Sequence, residues 1–413
     1  MIQALRIIGF VALIANLFIA TPSNVYAADG SRFAAVDVGM NHTCALTTAG
    51  RAYCWGDDSS GQLGDGPGSD GGVNPRAVIG GHRFRLIDAG YYSTCAITKS
   101  KGALYCWGFN DYGQLGIGTH DDDELGNADI EAPARVAGYG WSQVSVGSNT
   151  TCGIRKLKTY CWGYNEWGSV GNGDHDGTEA GLANVDVPTL VLGEHRFMTV
   201  SVGDNTTCAV TFGGDGYCWG TGNNGELGNG DFALEDDGQG TDADSDIPVS
   251  VSGGHRFVDI QTGSESSCGL DQRGRVWCWG ETTYGQIGDG SGGPAGFVAV
   301  PTRVNASARF VALSGSEAMA YSTCGLKATG VAFCWGWNGD GYGVLGIDSD
   351  LAQENFPVQV PGKLRFVSID IDDYHACGLT TRQRVYCWGL GESGQLGIPV
   401  SATKKPTEPV VIP

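Results

Sequence analysis

The chain has 413 residues with 45 acidic and 25 basic side chains, which gives a formal net charge of −20 at neutral pH. So acidic a protein is unsuited to binding a phosphate backbone, and we expect no nucleic-acid partner. Glycine occupies 68 positions, well above the usual share of about 7%, yet hydrophobic residues still make up 41%. The composition therefore predicts a folded chain that is rich in turns.

The N-terminal segment has the features of a secretion signal. Arg6 precedes an apolar run over residues 7–20, and a short polar stretch then leads to Ala27. We predict that residues 1–27 are a cleaved signal peptide and that residues 28–413 are the exported protein. A permanent membrane anchor is the alternative, but the run is shorter than the ~20 apolar residues that a spanning helix needs. We therefore expect no stable anchor after cleavage and an extracytoplasmic location, in the periplasm, on the cell surface or in the medium.

One sequence unit is repeated along the rest of the chain. The triplet Cys-Trp-Gly occurs seven times, and a second cysteine precedes each copy. A glycine-punctuated segment follows each triplet, such as GQLGDG from Gly61, and a Pro-x-x-Val or Pro-x-x-Ile element comes next, such as that at Pro75. Such self-similarity is typical of repeat architectures.

Each unit contains four short strand candidates, and no helical periodicity competes with them. They are an aromatic-x-x-aliphatic strand (A), a Cys-x-aliphatic strand (B), a strand that contains Cys-Trp-Gly (C) and the Pro-x-x-Val strand (D). Four-stranded sheets repeated around an axis form a propeller, which removes long exposed edges. We predict an all-β, seven-bladed β-propeller. Because the exported chain starts at a strand A (33–36) and ends after a strand D (409–412), we expect one blade to combine three N-terminal strands with one C-terminal strand.

The motifs Gly-x-x-x-[His/Ser/Thr]-x-Cys-[Ala/Gly]-aliphatic, Cys-Trp-Gly and Gly-Gln-Leu-Gly resemble those of the regulator of chromosome condensation repeat family. The layout and the export signal also resemble secreted bacterial members of this superfamily, which include a propeller-type β-lactamase inhibitory protein. The departures are the paired cysteines, Asp372 where strand A elsewhere ends in Gly, and insertions at 315–322 and 337–343. The family's guanine-nucleotide exchange role is not expected here, because an exported protein would not meet a nuclear GTPase.

The cysteine spacing predicts one disulfide in each unit. A turn at Thr48, Ala49 and Gly50 would place Cys44 and Cys54 opposite each other on antiparallel strands, within bridging distance. An exported protein meets the oxidising conditions that this needs. Zinc binding is the alternative, but no Cys-x-x-Cys occurs. The predicted pairs are Cys44–Cys54, Cys95–Cys106, Cys152–Cys161, Cys208–Cys218, Cys268–Cys278, Cys324–Cys334 and Cys377–Cys387.

No catalytic motif is evident. The serine-hydrolase, zinc-protease and phosphate-loop patterns are all absent, so we expect no catalytic residue. Acidic inserts are the stronger lead, and Asp242, Asp244 and Asp246 alternate as in a calcium loop. However, Ile247 stands where such a loop has glycine, so we expect solvated loops without a cofactor and keep calcium as the alternative. The inserts lie at 120–131, 174–179 and 231–246.

Alternating strand directions predict two different faces. The A–B loops and C–D connections emerge on one face, which we call the loop face; the B–C turns and D–A connections emerge on the other, the turn face. Most basic residues fall on the turn face, whereas the loop face receives the acidic inserts. Large aromatic side chains are typical anchors of protein interfaces. The candidate partner-binding residues on the loop face are Tyr91, Tyr92, Tyr112, Tyr164, Trp167, Tyr284, Tyr321, Trp337, Tyr342 and Tyr374.

These patterns together favour a non-catalytic, monomeric propeller that binds a protein partner through its loop face. The Cys-Trp-Gly tryptophans are expected in the core between blades, because every unit has one. Two alternatives remain. The first is an inhibitor of an extracytoplasmic enzyme of the β-lactamase or transpeptidase type. The second is a polysaccharide-acting enzyme, which would need a pair of carboxyl groups with raised pKa in one pocket.

Overall fold

Each repeat unit folds into one antiparallel sheet with the strand order A, B, C, D, and the seven sheets confirm the predicted seven-bladed propeller. The computed structural model describes residues 32–120, 129–174, 184–233, 243–293, 296–315, 321–399, 401–404 and 410. The predicted signal peptide, 1–27, lies outside these residues, as does much of the acidic inserts. Two short 3₁₀ turns are the only helical segments in the described ranges, at Ser252–Gly254 and Gly339–Gly341.

The four kinds of strand recur in every blade, from blade 1 at the N-terminal end to blade 7. The A strands are Phe33–Val38, Phe84–Ala89, Trp141–Val146, Phe197–Val202, Phe257–Thr262, Ala312–Gly315 and Phe366–Ile371. The B strands are His42–Thr47, Ser93–Thr98, Thr150–Arg155, Thr206–Thr211, Ser266–Asp271, Ser322–Leu326 and His375–Thr380. The C strands are Ala52–Gly56, Leu104–Gly108, Lys158–Gly163, Gly216–Gly220, Val276–Glu281, Ala332–Trp337 and Val385–Leu390. The D strands are Gly72–Ala77, Ile130–Arg135, Val185–Leu190, Ser245–Ser250, Phe297–Arg303, Gln353–Gln359 and Ala402–Thr403.

The A strands form the inner ring, because each contacts the A strands of both neighbouring blades, including blade 1 against blade 7. The expectation that one blade mixes strands from the two ends of the chain is wrong. Strand D pairs with the strand C that precedes it, as in Tyr53 opposite Ala77, so every blade is built from consecutive strands. The ring instead closes by packing between blades 1 and 7, where Phe33 and Val36 share a buried cluster with Leu379.

Backbone donors reinforce this inner ring. The amide of Val38 donates to Asp370 Oδ2, that of Ala89 to Asp37 Oδ1 and that of Val146 to Asp88 Oδ1, each at 2.7 Å. Serine takes the same position in later blades, for example where Val202 donates to the Ser145 hydroxyl at 3.0 Å. These side-chain acceptors join one inner strand to the next, and one such bond joins blade 7 to blade 1.

The Cys-Trp-Gly tryptophans lie between blades, as predicted, and all seven are fully buried. Each indole N–H donates to a backbone carbonyl in the C–D connection of the preceding blade; Trp107 donates to Gln62 at 2.9 Å and Trp55 donates across the ring closure to Gln395 at 2.8 Å. Gly64 lies against the Trp107 ring with φ +65°, and a Cβ there would be 2.6 Å from Nε1. The Gly-x-x-Gly segment is therefore a hook that holds the next blade's tryptophan.

All seven predicted disulfides are present, one in each blade, and the structure describes no free cysteine. Cys44 lies directly opposite Cys54, with a Cα–Cα distance of 4.1 Å. Gly50 closes the turn between them at φ +84°, a conformation that favours glycine. The B and C strands of each blade are thus cross-linked near the middle of their ladder, and the longer C–D connections are free to differ between blades.

Candidate functional site

The A–B loops form the centre of the loop face, because they follow the inner strands. In blades 1 to 4 each loop begins with a glycine whose Cα lies against the carbonyl oxygen of the corresponding glycine in the next blade, as Gly39 does with Gly90. A methyl group at Gly39 would overlap that oxygen, so the loops approach as closely as glycine permits. Blade 7 departs from this pattern with Asp372, whose carboxylate accepts the backbone N–H of Asp373 at 2.6 Å.

Aromatic side chains form a continuous row on the loop face across blades 2 and 3, which we call the aromatic ridge: Tyr91, Tyr92, Phe109, Tyr112 and Tyr164. Successive ring centroids are 4.3, 6.2, 6.1 and 5.1 Å apart, with edge-on geometry. All five side chains are half-buried. Edge-on packing holds each ring in place and leaves part of it accessible, which suits an anchor for a protein partner.

Phe109 was not among the predicted aromatic residues. It directly follows the Cys-Trp-Gly triplet of blade 2, the position that Tyr164 and Trp337 occupy in blades 3 and 6. Comparing the repeats position by position would therefore have identified it.

The remaining predicted aromatics form smaller groups on the same face. Tyr284 and Tyr321 are in contact at 4.8 Å between ring centroids, and Trp337 and Tyr374 at 6.1 Å. Trp167 and Tyr342 are exposed. None of the ten predicted side chains is fully buried, so each keeps some surface for a partner.

Several titratable groups near the A–B loops have a raised pKa because of their surroundings. Burial, together with the nearby Asp372 and Asp204 carboxylates, raises the pKa of Asp373 to about 8. Burial and the adjacent Glu281 raise the pKa of Glu265 to about 7. Burial also raises the pKa of the Tyr321 hydroxyl to about 12. The centre of the loop face thus disfavours the ionised form of these groups.

Basic residues are concentrated on the turn face, as the sequence indicates. Some cations do reach loop-face carboxylates: Arg76 pairs with Asp65 at 3.2 Å, and Lys404 pairs with Asp350. The turn-face histidines have a structural role, as their repeated turn sequences suggest. His82, His195 and His255 stack on Tyr105, Tyr217 and Trp277 with ring centroids 4.2, 4.2 and 4.0 Å apart.

The calcium alternative concerns Asp242, Asp244 and Asp246. Asp242 lies outside the described residues, and Asp244 accepts the backbone N–H of Gly222 at 2.8 Å. Within the described ranges, no group of three or more His, Cys, Asp or Glu side chains is arranged to hold a metal ion. Melting curves with and without calcium would test whether the acidic inserts bind this ion. Across the same ranges, no helix is both long and apolar enough to span a bilayer.

Comparison with known proteins identifies the repeat. Models described as "Regulator of chromosome condensation (RCC1) repeat" match residues 33–62, 84–114, 257–286 and 366–395, and residues 49–97, 101–154 and 158–210. The Ultraviolet-B receptor UVR8 of Arabidopsis thaliana is 29% identical over 374 residues, covering 88% of this chain and 78% of that protein.

Two solved structures share the fold. Human WBSCR16 has a TM-score of 0.73 at 19% identity, covering 88% of this chain and 94% of that one. Yeast RCC1 (Prp20), solved with Kap60 bound, has a TM-score of 0.71 at 17% identity, covering 95% and 89%. At these identities the likeness extends to the fold alone.

Proposed function

The chain belongs to the regulator of chromosome condensation repeat family, and we propose that it is an exported, non-catalytic propeller that binds another protein through its loop face. The observation that carries this proposal is the aromatic ridge, a row of five half-buried rings in mutual contact. Aromatic side chains bury large areas at low entropic cost, which is why they dominate the binding energy of protein interfaces.

Two further features support a protein partner. The ridge extends over two blades, so its dimensions suit a protein surface better than a small molecule. A propeller of this family has been solved with a bound protein, yeast RCC1 with Kap60. That complex is a precedent for a protein partner of this family and does not identify the partner of this chain.

Export is supported by the cross-links. Seven disulfides fit an oxidising compartment, because cytosolic reductants keep most thiols reduced. The apolar N-terminal run adds independent support from the sequence. Both features argue against the nuclear exchange role that the family name suggests.

The polysaccharide-acting alternative is less well supported. Asp373 and Glu265 have the raised pKa that such an enzyme would need. A sugar chain, however, also needs a cleft. The surface depression on the turn face that is lined by Arg275, Arg303 and Phe310, among others, has no carboxyl group in its lining.

The proposal is tested by capturing partners from extracytoplasmic extracts with the oxidised protein. The ridge variant is Tyr112→Ala with Tyr164→Ala. The control is Tyr139→Ala, because Tyr139 is an exposed tyrosine on the turn face. We expect the ridge variant to bind the captured partner at least about tenfold more weakly, since interface anchors each contribute about 1–2 kcal/mol or more, and the control to bind as the wild type does.

Unchanged binding by the ridge variant would contradict the proposal. Purified β-lactamases and transpeptidases belong in the same assay. If one of them is bound and its activity falls, the binding function is that of an inhibitor.

A further inference from the structure

The A–B loops surround the ring axis on the loop face, and we call the place where Asp204 and Asp373 approach each other the axial mouth. Asp373 of blade 7 interacts electrostatically with Asp204 of blade 4, and it also acts on Tyr91 of blade 2 and Tyr321 of blade 6. A side chain can be near three such widely separated blades only if it lies close to the axis. Each inner strand also contacts the next one around the whole ring. The A–B loops that follow these strands therefore converge on the axis.

Asp373 is an unusual residue in this position. Its side chain is only 6% exposed, and its Oδ1 atom accepts no hydrogen bond from the described residues. Burying a carboxyl oxygen without a donor costs free energy, so such an atom is ordinarily satisfied by a partner. Asp372 beside it is not comparable, because it accepts the Asp373 backbone N–H.

We propose that the axial mouth binds the guanidinium or ammonium group of one arginine or lysine side chain of the protein partner, with Asp373 as its main acceptor. This inference rests on the proposed function, in which the loop face binds a protein. It specifies one chemical feature of that partner: a basic side chain that projects from its surface at the centre of the interface. The ridge would bind the apolar surroundings of that side chain.

The groups around Asp373 favour an organic cation over a metal ion. Tyr91, Tyr321 and Tyr374 lie near its carboxyl group, and tyrosine rings attract guanidinium and ammonium groups through their faces. A metal ion needs several ligand oxygens within about 2.5 Å, and no group of three acidic or histidine side chains among the described residues is close enough together. Arginine is the better fit, because its five N–H donors can reach carboxylates on different loops.

Proton release is expected to accompany binding. Asp373 faces Asp372, Asp204, Tyr91, Tyr374 and Tyr321, and burial near these acidic groups raises its pKa to about 8. A cation beside it would favour the ionised form, so affinity for the cation should increase as the pH rises from about 6 to about 9.

The test uses two small probes that differ only in charge. One is acetyl-Gly-Arg-Gly-amide, and the other carries uncharged citrulline in place of arginine. Binding to the oxidised full-length protein is measured by NMR titration, with Asp373→Asn as the variant and Glu392→Gln, an exposed acidic residue on the same face, as the control.

We expect the arginine peptide to bind more tightly than the citrulline peptide, Asp373→Asn to weaken it about tenfold or more, and Glu392→Gln to have no effect. Equal binding of the two peptides, or full affinity in Asp373→Asn with an unchanged melting temperature, would overturn the proposal. So would displacement of the arginine peptide by millimolar calcium.

The probes also separate this inference from the proposed function. The ridge variant Tyr112→Ala with Tyr164→Ala should still bind the arginine peptide even though it loses the protein partner. If partner capture depends on the ridge but not on Asp373, the proposed function stands and the cation site is refuted.

Discussion

The loop face and the turn face are made from the same repeat, yet they differ in length, charge and aromatic content. In blade 1 the loop-face C–D connection covers residues 57–71, whereas the turn-face B–C turn covers only 48–51. Acidic and aromatic side chains collect on the loop face, and basic side chains on the turn face. The difference shows how an antiparallel blade can serve two purposes. Short turns close one side, and long connections that vary between blades are available for binding on the other.

The largest expected effect concerns the hooks that loop-face connections provide. Trp219 is fully buried and donates to the Ser169 carbonyl of the preceding blade at 2.9 Å. Trp219→Ala should lower the free energy of unfolding by about 3–5 kcal/mol, because it removes both the packing and the inter-blade hydrogen bond. Tyr139→Ala on the turn face, where the side chain is 47% exposed, should change it by less than about 0.5 kcal/mol. Denaturant titration of both variants measures the contrast, and equal effects would show that the hooks do not hold the blades together.

A pH-dependent effect should distinguish the axial mouth from the rest of the loop face. Asp373 keeps its proton up to about pH 8 in the folded protein but only to about pH 4 when unfolded. The folded state therefore binds more protons in this range, and its stability should fall as the pH rises from about 4 to about 8. Asp373→Asn should reduce this fall, and Glu392→Gln should not.

The buried histidines act in the opposite direction at lower pH. Burial lowers the pKa of His42 to about 4 and that of His375 to about 3. The unfolded chain binds their protons first, so stability should also decrease as the pH falls below about 6. Urea unfolding at several pH values should accordingly show a maximum of stability in the weakly acidic range.

A stability curve for Asp373→Asn that parallels the wild type across pH 5–8 would exclude a contribution from the Asp373 carboxyl group.

The smallest expected effect lies in a turn-face hairpin. Lys156 and Leu157 form the B–C turn of blade 3 with φ values of 52° and 65°, a left-handed conformation that glycine adopts more readily. Because Leu157 is exposed, Leu157→Gly should raise the free energy of unfolding by about 1 kcal/mol. The same variant should leave partner binding unchanged. Weaker binding would show that the turn face takes part in the interface.

The sequence was sufficient for features that every unit repeats. Seven copies of a cysteine pair and one tryptophan predicted the blades, the disulfides and the buried inter-blade positions. The prediction of ring closure was wrong. The order of the strands along the sequence does not reveal whether strand D joins the sheet of the strand C before it or the sheet of the following unit. The pairing of Tyr53 with Ala77 decides this.

Features that depend on contacts between distant units were harder to predict. Phe109 could have been found from its position after Cys-Trp-Gly, but the ridge itself depends on ring contacts between two blades. Asp373 carries no sequence signal beyond its neighbour Asp372, which replaces a recurrent glycine. Its proximity to Asp204, Tyr91 and Tyr321 arises only when the ring closes.

Hydrogen exchange on the protein with its captured partner tests binding through the loop face most directly. We expect exchange to slow on binding at residues 90–92, 109–114 and 163–167, which carry the aromatic ridge, and to be unchanged in the turns at 48–51 and 381–384. Slower exchange in those turns, with no change along the ridge, would contradict it.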